Sequence, residues 1–142
     1  MANESIHIYP QFAKSLVNGE AKIDGGKLKI LLAGGLYTFS DSQQYLSSVK
    51  GELIGAGYEP GGAIIKNPTF TVMNNVGTLK GGNIIWEDLT MDNIRYGIIY
   101  DDAPTDKKPL IAYIDFGETF DILNSNFEII WSTRGIVAIN IE

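Results

Sequence analysis

From residue 63 to the carboxyl end the chain divides into short β-rich runs, 63–73, 77–87, 94–101, 109–116, 126–132 and 136–141, each bounded by Gly, Asn, Asp or Pro. Runs this short and regular leave no room for crossover helices, so βαβ units give way to an antiparallel, sandwich- or barrel-like sheet. In the third run Tyr96, Ile98 and Tyr100 share one face and Arg95, Gly97 and Ile99 the other. Apolar groups on both faces mark a central strand. Ile98–Tyr100 is expected to meet Leu110–Tyr113 across the polar loop from Asp101 to Pro109. Thr78–Lys80 is expected to turn back onto Asn83–Trp86 through Gly81-Gly82, a favourable two-residue hairpin loop. The last run suits a strand that closes or edges a sheet.

The amino-terminal part reads differently. Tyr9, Phe12, Ala13, Leu16 and Val17 fall at i, i+3, i+4, i+7 and i+8. With Pro10 in the first turn and Asn18-Gly19 as a stop, the spacing predicts a helix over 8–18 with that stripe buried. Asp24-Gly25-Gly26 reads as a turn, and Lys27–Leu32 as a strand entering the core. Ser40 and Asp41 can cap a second short helix carrying Tyr45, Leu46 and Val49. Gly55–Gly62, rich in glycine and interrupted by Pro60, reads as a loop. The expected fold is α+β and predominantly antiparallel β, with a short N-terminal amphipathic helix and a second short helix, in a single domain over residues 1–142.

Composition narrows the chemistry. There is no cysteine, which removes disulfides, thiolate zinc sites and thiol nucleophiles together. The net charge is −6, and the only adjacent basic pair is Lys107-Lys108, so a phosphate-binding stripe is absent and nucleic acid is disfavoured as a partner. No apolar run approaches the roughly 20 residues that span a bilayer, and the first residues lack the pattern of a signal peptide. The expectation is a chain made in a cytoplasm, with no membrane partner.

No catalytic constellation emerges from the motifs. The Gly55–Gly62 loop lacks the Lys-Ser/Thr of a P-loop, and Gly34-Gly35 lacks the rest of a dinucleotide fingerprint. Asp101, Asp102 and Asp106 do not have the spacing of a calcium loop and read as a solvated turn. Asp115, Glu118 and Asp121 offer carboxylates without a defined geometry. His7, the single imidazole, has no G-x-S-x-G elbow to serve. Trp86, Trp131, Tyr96, Tyr100, Tyr113 and Phe116 could form a sugar-binding row, yet aromatics are also what sheet cores prefer. No enzyme activity, cofactor or metal is expected.

Taken in order, several segments form a recognisable series: Tyr9-x-x-Phe12, Tyr37-Thr38-Phe39-Ser40-Asp41, and Gly55-x-Gly57-Tyr58-x-x-Gly61-Gly62-Ala63. Ile84-x-Trp86-x-Asp88-x-Thr90, Arg95–Asp102, Pro109–Gly117 and Phe127-x-Ile129-x-Trp131 continue it. Across nearly the whole chain this resembles a family of small structural proteins of tailed-bacteriophage virions, with Gly97 standing where a side chain is more usual. The resemblance brings no catalytic residues. It implies a virion component assembled in the host cytoplasm, as a capsid decoration or cement protein that binds the head shell. The alternatives are a neck or tail protein, or a carbohydrate- or receptor-binding β module. Partners would be other virion proteins and further copies of the chain. The two loops are the expected interface, through Gly57, Tyr58 and Gly61 in one and Asp101 and Asp102 in the other, because loops carry recognition on a rigid sheet; the alternative is that both are only connections and that Tyr58 folds back into its own core.

Overall fold

The computed structural model describes residues 5–23, 27–103, 107–132 and 135–140. The expected Asp24-Gly25-Gly26 turn, Asp106 and Ile141 lie outside the described residues. In chain order the elements are β1 (Ser5–Ile8), α1 (Phe12–Val17), β2 (Leu28–Gly34), a 3-10 turn (Leu46–Ser48), β3 (Ala63–Ile64) and β4 (Thr69–Met73). β5 (Val76–Lys80), β6 (Ile84–Asp101), β7 (Leu110–Ile129) and β8 (Val137–Asn140) follow. One sheet has the order β1-β7-β6-β2-β3 and the other β4-β5-β8. Every pairing is antiparallel, so the chain is mostly antiparallel β as its punctuation implies. Buried apolar residues from both sheets form one cluster.

The two middle strands are far longer than the runs they contain, at 18 and 20 residues. Near the loop that joins them they pair in the expected hairpin, Gly97 with Ile114, Ile98 with Tyr113 and Ile99 with Ala112, with one shift before Tyr100 meets Leu110. β6 lies between β7 and β2, the central place expected of it, and near the connecting loop its residues are buried on both faces. Farther out the register slips repeatedly, and each slip coincides with an Asn or Asp in the left-handed region: Asp88 (φ 51°), Asn124 (φ 47°) and Asn93 (φ 63°). Asn and Asp tolerate that region better than other side chains, because short polar groups can bond locally. Here an oxygen of the facing strand receives each backbone N–H. Asn126 Oδ1 accepts from Asp88 (3.0 Å), Thr90 Oγ1 from Asn124 (3.0 Å) and Asp121 Oδ1 from Asn93 (2.9 Å). The bulges bend and twist the ribbon without leaving these donors unpaired.

A sharper corner separates the regular and bulged halves. Between the pairs Ile94–Phe120 and Tyr96–Asp115, β6 contributes Arg95 alone while β7 contributes Phe116 through Thr119. Gly117 has φ 93°, and its N–H bonds Asp115 Oδ1 at 2.8 Å. The bend brings Phe116 and Phe127, well separated along one strand, to a ring separation of 5.8 Å, with Phe120 stacked edge-on to both. A straight strand would hold those two residues about 36 Å apart. The ribbon is thus folded over its own aromatic core.

Several expectations need correction. The Gly81-Gly82 hairpin does not form. β5 turns back on β4 through Asn74-Asn75 (φ 52° and 64°), a turn with both central residues left-handed. Gly81-Gly82 instead carries the chain between sheets, held by Gly82 N–H on Lys66 O and by the Trp131 indole N–H on Gly82 O, both 2.8 Å. The N-terminal helix is six residues, not 8–18, because Ser5–Ile8 pairs with β7 and Tyr9 N–H bonds Ile111 O. Sheet pairing before Pro10 fixes the entry angle. Phe12 and Ser15 then point inward, while Leu16 and Val17 are 37% and 86% exposed. The second helix is a single 3-10 turn. Leu46 N–H bonds Lys108 O and Gln44 O accepts from Leu110 N–H, which draws residues 44–46 out along the start of β7.

Candidate functional site

The glycine loop expected to meet a partner is fastened to its own protein. Tyr58 is buried, its ring 6.2 Å from that of Trp86. Its hydroxyl donates to Glu52 Oε2 (2.6 Å) and accepts from Leu32 N–H (3.0 Å). Burial, reinforced by the Glu52 bond, pushes this phenol well above its ordinary value. The ring therefore fills the core and is no interface anchor. Gly57 (φ 83°) runs so close to β6 that a Cβ would sit 2.8 Å from Asp88 O. Gly61 donates to Glu52 Oε2 and accepts from the Tyr100 hydroxyl, at 2.7 and 2.6 Å.

The second loop is equally committed inward. Asp101 is fully buried, and its carboxylate accepts from Lys22 N–H and Ala103 N–H, both at 3.0 Å. Asp102 pairs with Lys29 at 3.3 Å and with Lys108. Partial burial would raise the Asp102 carboxyl, but the bonds from these two lysines outweigh it and hold it below the usual range. The two predicted loops meet over Tyr100 and Lys29: the Tyr100 hydroxyl donates to Gly61 O (2.6 Å), and Lys29, beside Gly61, pairs with Asp102 (3.3 Å). Each of the five predicted residues has an intramolecular role.

Two other surfaces assemble from residues distant in sequence. The first surrounds Tyr113, whose ring lies 5.0 Å from His7, 5.3 Å from Tyr9 and 5.1 Å from Phe39, with Tyr37 and Tyr96 slightly farther. Tyr9 and Tyr37 form its floor, joined hydroxyl to hydroxyl at 2.6 Å and closed by Gln43 Oε1 at 2.8 Å from Tyr37. Desolvation raises both phenols, Tyr37 to about 12. Phe39 and His7 are exposed and Tyr96 and Tyr113 half-buried, so aromatic surface reaches solvent. On its flank Arg95 donates to Asp115 through Nε (2.8 Å) and Nη2 (3.3 Å) and lies over the Tyr96 ring. The bond from Arg95, against partial burial and with help from Gly117 N–H, holds the Asp115 carboxyl low.

The second surface lies near the ribbon's corner. Leu36 and Ile54 are 90% and 92% exposed, although both sit on well-bonded loops. Tyr37 N–H bonds Gly34 O, Gly34 N–H bonds Gly51 O, Leu53 N–H bonds Leu32 O, and Ala56 bridges Thr90. Leu36, Leu53, Asn93 and Thr119 line a shallow cleft of about 330 Å³ beside them. Sequence alone offered little sign of this, since a Leu after Gly34-Gly35 and an Ile before Gly55 read equally well as core. Among the described residues no group of three or more His, Asp or Glu is placed to hold a metal. No family model, curated protein or solved structure matches the chain.

Proposed function

We propose that this chain is a structural component of a tailed-phage virion, most specifically a capsid decoration or cement protein that acts through protein–protein contact. The resemblance of its ordered motifs supports the virion setting. The observation that carries the contact role is the near-complete exposure of Leu36 at the wall of an apolar cleft, with Ile54 equally exposed on the hydrogen-bonded loop that supplies Leu53 to the same cleft. Scattered exposed aliphatics are ordinary. One that stands out at the wall of an apolar cleft is suited to burial against another surface. The contact role thereby moves from Tyr58 and the aspartates to this end of the molecule. The test is addition of purified protein to phage particles assembled without it, followed by sedimentation. Wild type should co-sediment, whereas Leu36→Asp with Ile54→Asp should stay in the supernatant at an unchanged melting temperature. Neck or tail membership would appear as binding to those substructures and not to heads. No binding to any particle would overturn the virion reading.

A second reading, carbohydrate or receptor binding, is favoured by one arrangement: the solvent-reaching rings of His7, Phe39, Tyr96 and Tyr113 with the Arg95–Asp115 pair at their side. Rings offer apolar faces to sugar C–H groups, and the ion pair offers donors and acceptors. Retention on immobilised host polysaccharide, abolished by Phe39→Ala, would support it.

A further inference from the structure

Each sheet leaves a length of strand edge uncovered, and the residues near the two edges differ in charge. β1 covers β7 only at Ala112 through Asp115, and from Phe116 to Ile129 no described strand lies against its outer side. Along residues 84–94 and 116–129, the bulged ribbon, there are six acidic residues and no Lys or Arg. On β7 these are Glu118, Asp121 and Glu128, all exposed, and Leu123 between them is 74% exposed. β4 is the outer strand of the other sheet. Residues 65–81 contain Lys66 and Lys80 and no acidic residue, both lysines are exposed, and neither makes an ion pair among the described residues. Val72 and Met73 on β4 are 59% and 74% exposed.

We infer that copies of this chain associate head to tail, the β4 edge of one, with Lys66 before it and Lys80 beside its first residue on β5, pairing with the uncovered outer edge of β7 in the next. An uncovered strand edge presents unpaired N–H and C=O groups, and natural proteins blunt such edges with charges and bulges. Here the charges near the two edges are opposite: Glu118 and Glu128 on β7, against Lys66 before β4 and Lys80 on the adjoining β5. Like edges repel, β7 against β7 and β4 against β4, so the same residues that block symmetric pairing select the unlike edge. The exposed Leu123 on one side and Val72 and Met73 on the other supply apolar surface to bury. Because the joined surfaces differ, the contact is heterologous and generates a closed ring or an open row according to its rotation.

The inference rests on the assembly reading above and names its partner as a second copy. Sedimentation velocity over a wide concentration range tests it. The wild-type chain should associate as concentration rises, and weaken as salt screens charges beyond about 10 Å at 0.1 M. Lys66→Glu with Lys80→Glu, and separately Glu118→Lys with Glu128→Lys, should each weaken association at least tenfold. These four side chains cap no bulge, and circular dichroism should be unchanged. Mixing the two double variants in equal amounts should restore association, because acidic β4 then faces basic β7 and the reverse, whereas a misfolded variant cannot be rescued this way. A monomer at all concentrations, a double variant that associates like wild type, or a mixture that stays monomeric would each overturn the proposal. A chain that remains monomeric yet binds particles would sink this contact and leave the virion reading standing.

Discussion

The two halves of the β6–β7 ribbon are built from one pair of strands on different principles. In the half near the connecting loop, Gly97–Asp101 against Leu110–Ile114, the register is almost regular and side chains on both faces are buried. In the far half, Ile84–Ile94 against Phe120–Ile129, one face is buried and the other carries Asx residues that alternately slip the register and cap the slip. The first half is held by burial and the second by hydrogen bonds to bulged backbone. Where both faces are covered, any slip would move an apolar row into water or a polar row into the core, so register is strongly enforced. Where one face is wet, slips are tolerable if each freed N–H finds a partner.

Substitutions can break this contrast. The largest effect belongs to the buried half. Ile98→Ala, at a fully buried position on the central strand, should cost about 2–5 kcal/mol in denaturant unfolding. A cost below 1 kcal/mol would mean that the central pairing is not what holds the sheet. Tyr58→Phe should come next. It keeps the ring against Trp86 but strands Leu32 N–H, for a loss of about 1–3 kcal/mol. The glycine loop should then exchange its amide hydrogens faster where it crosses the bulged half.

In the bulged half the ordering between two variants is the sharper test. Asn93→Ala keeps a β-carbon at φ 63° but loses the short polar group that eases this conformation, and should cost about 1–2 kcal/mol, while Asn93→Gly should be nearly neutral. Equal costs for both would show that the Asn side chain, and not the backbone conformation, matters there.

The smallest effects are in titration. The Asp102 and Asp115 carboxyls are depressed in the folded chain, so their contribution is present above the unfolded carboxylate range near 4 and is lost as pH falls through their folded values. Asp115→Asn should flatten the acid limb of the melting curve at the corner between the halves. The buried phenols have the opposite sign. Tyr9, Tyr58 and Tyr100 are raised chiefly by desolvation, and Tyr37 is raised to about 12 for the same first cause. Their stabilising contribution is complete below about pH 10 and declines as pH rises toward the folded values. Ultraviolet titration should show these phenols ionising together with unfolding, not before it.

Alternation and punctuation in the sequence determined the antiparallel class, the strand entering the core at Leu28–Leu32, the central place of β6 and the hairpin from Ile98 to Tyr113. Each is a consequence of side-chain period and turn chemistry, which are local. Strand lengths were not legible, because Asp88, Asn93 and Asn124 read as turn residues although they sit in continuous strands as bulges. Only the facing side chains of Asn126, Thr90 and Asp121, brought there by pairing, turn a break into a bend. The same holds for the surfaces. Tyr58 looks like an interface anchor in sequence and is a core residue because Glu52 and Leu32 N–H meet its hydroxyl. Leu36 and Ile54 look like core and stand in water because two loops are tied behind them. Sequence fixes what a residue can do with its neighbours in the chain. Whether an apolar side chain is buried depends on what arrives from elsewhere, as Glu52, Leu32 and Trp86 arrive around Tyr58.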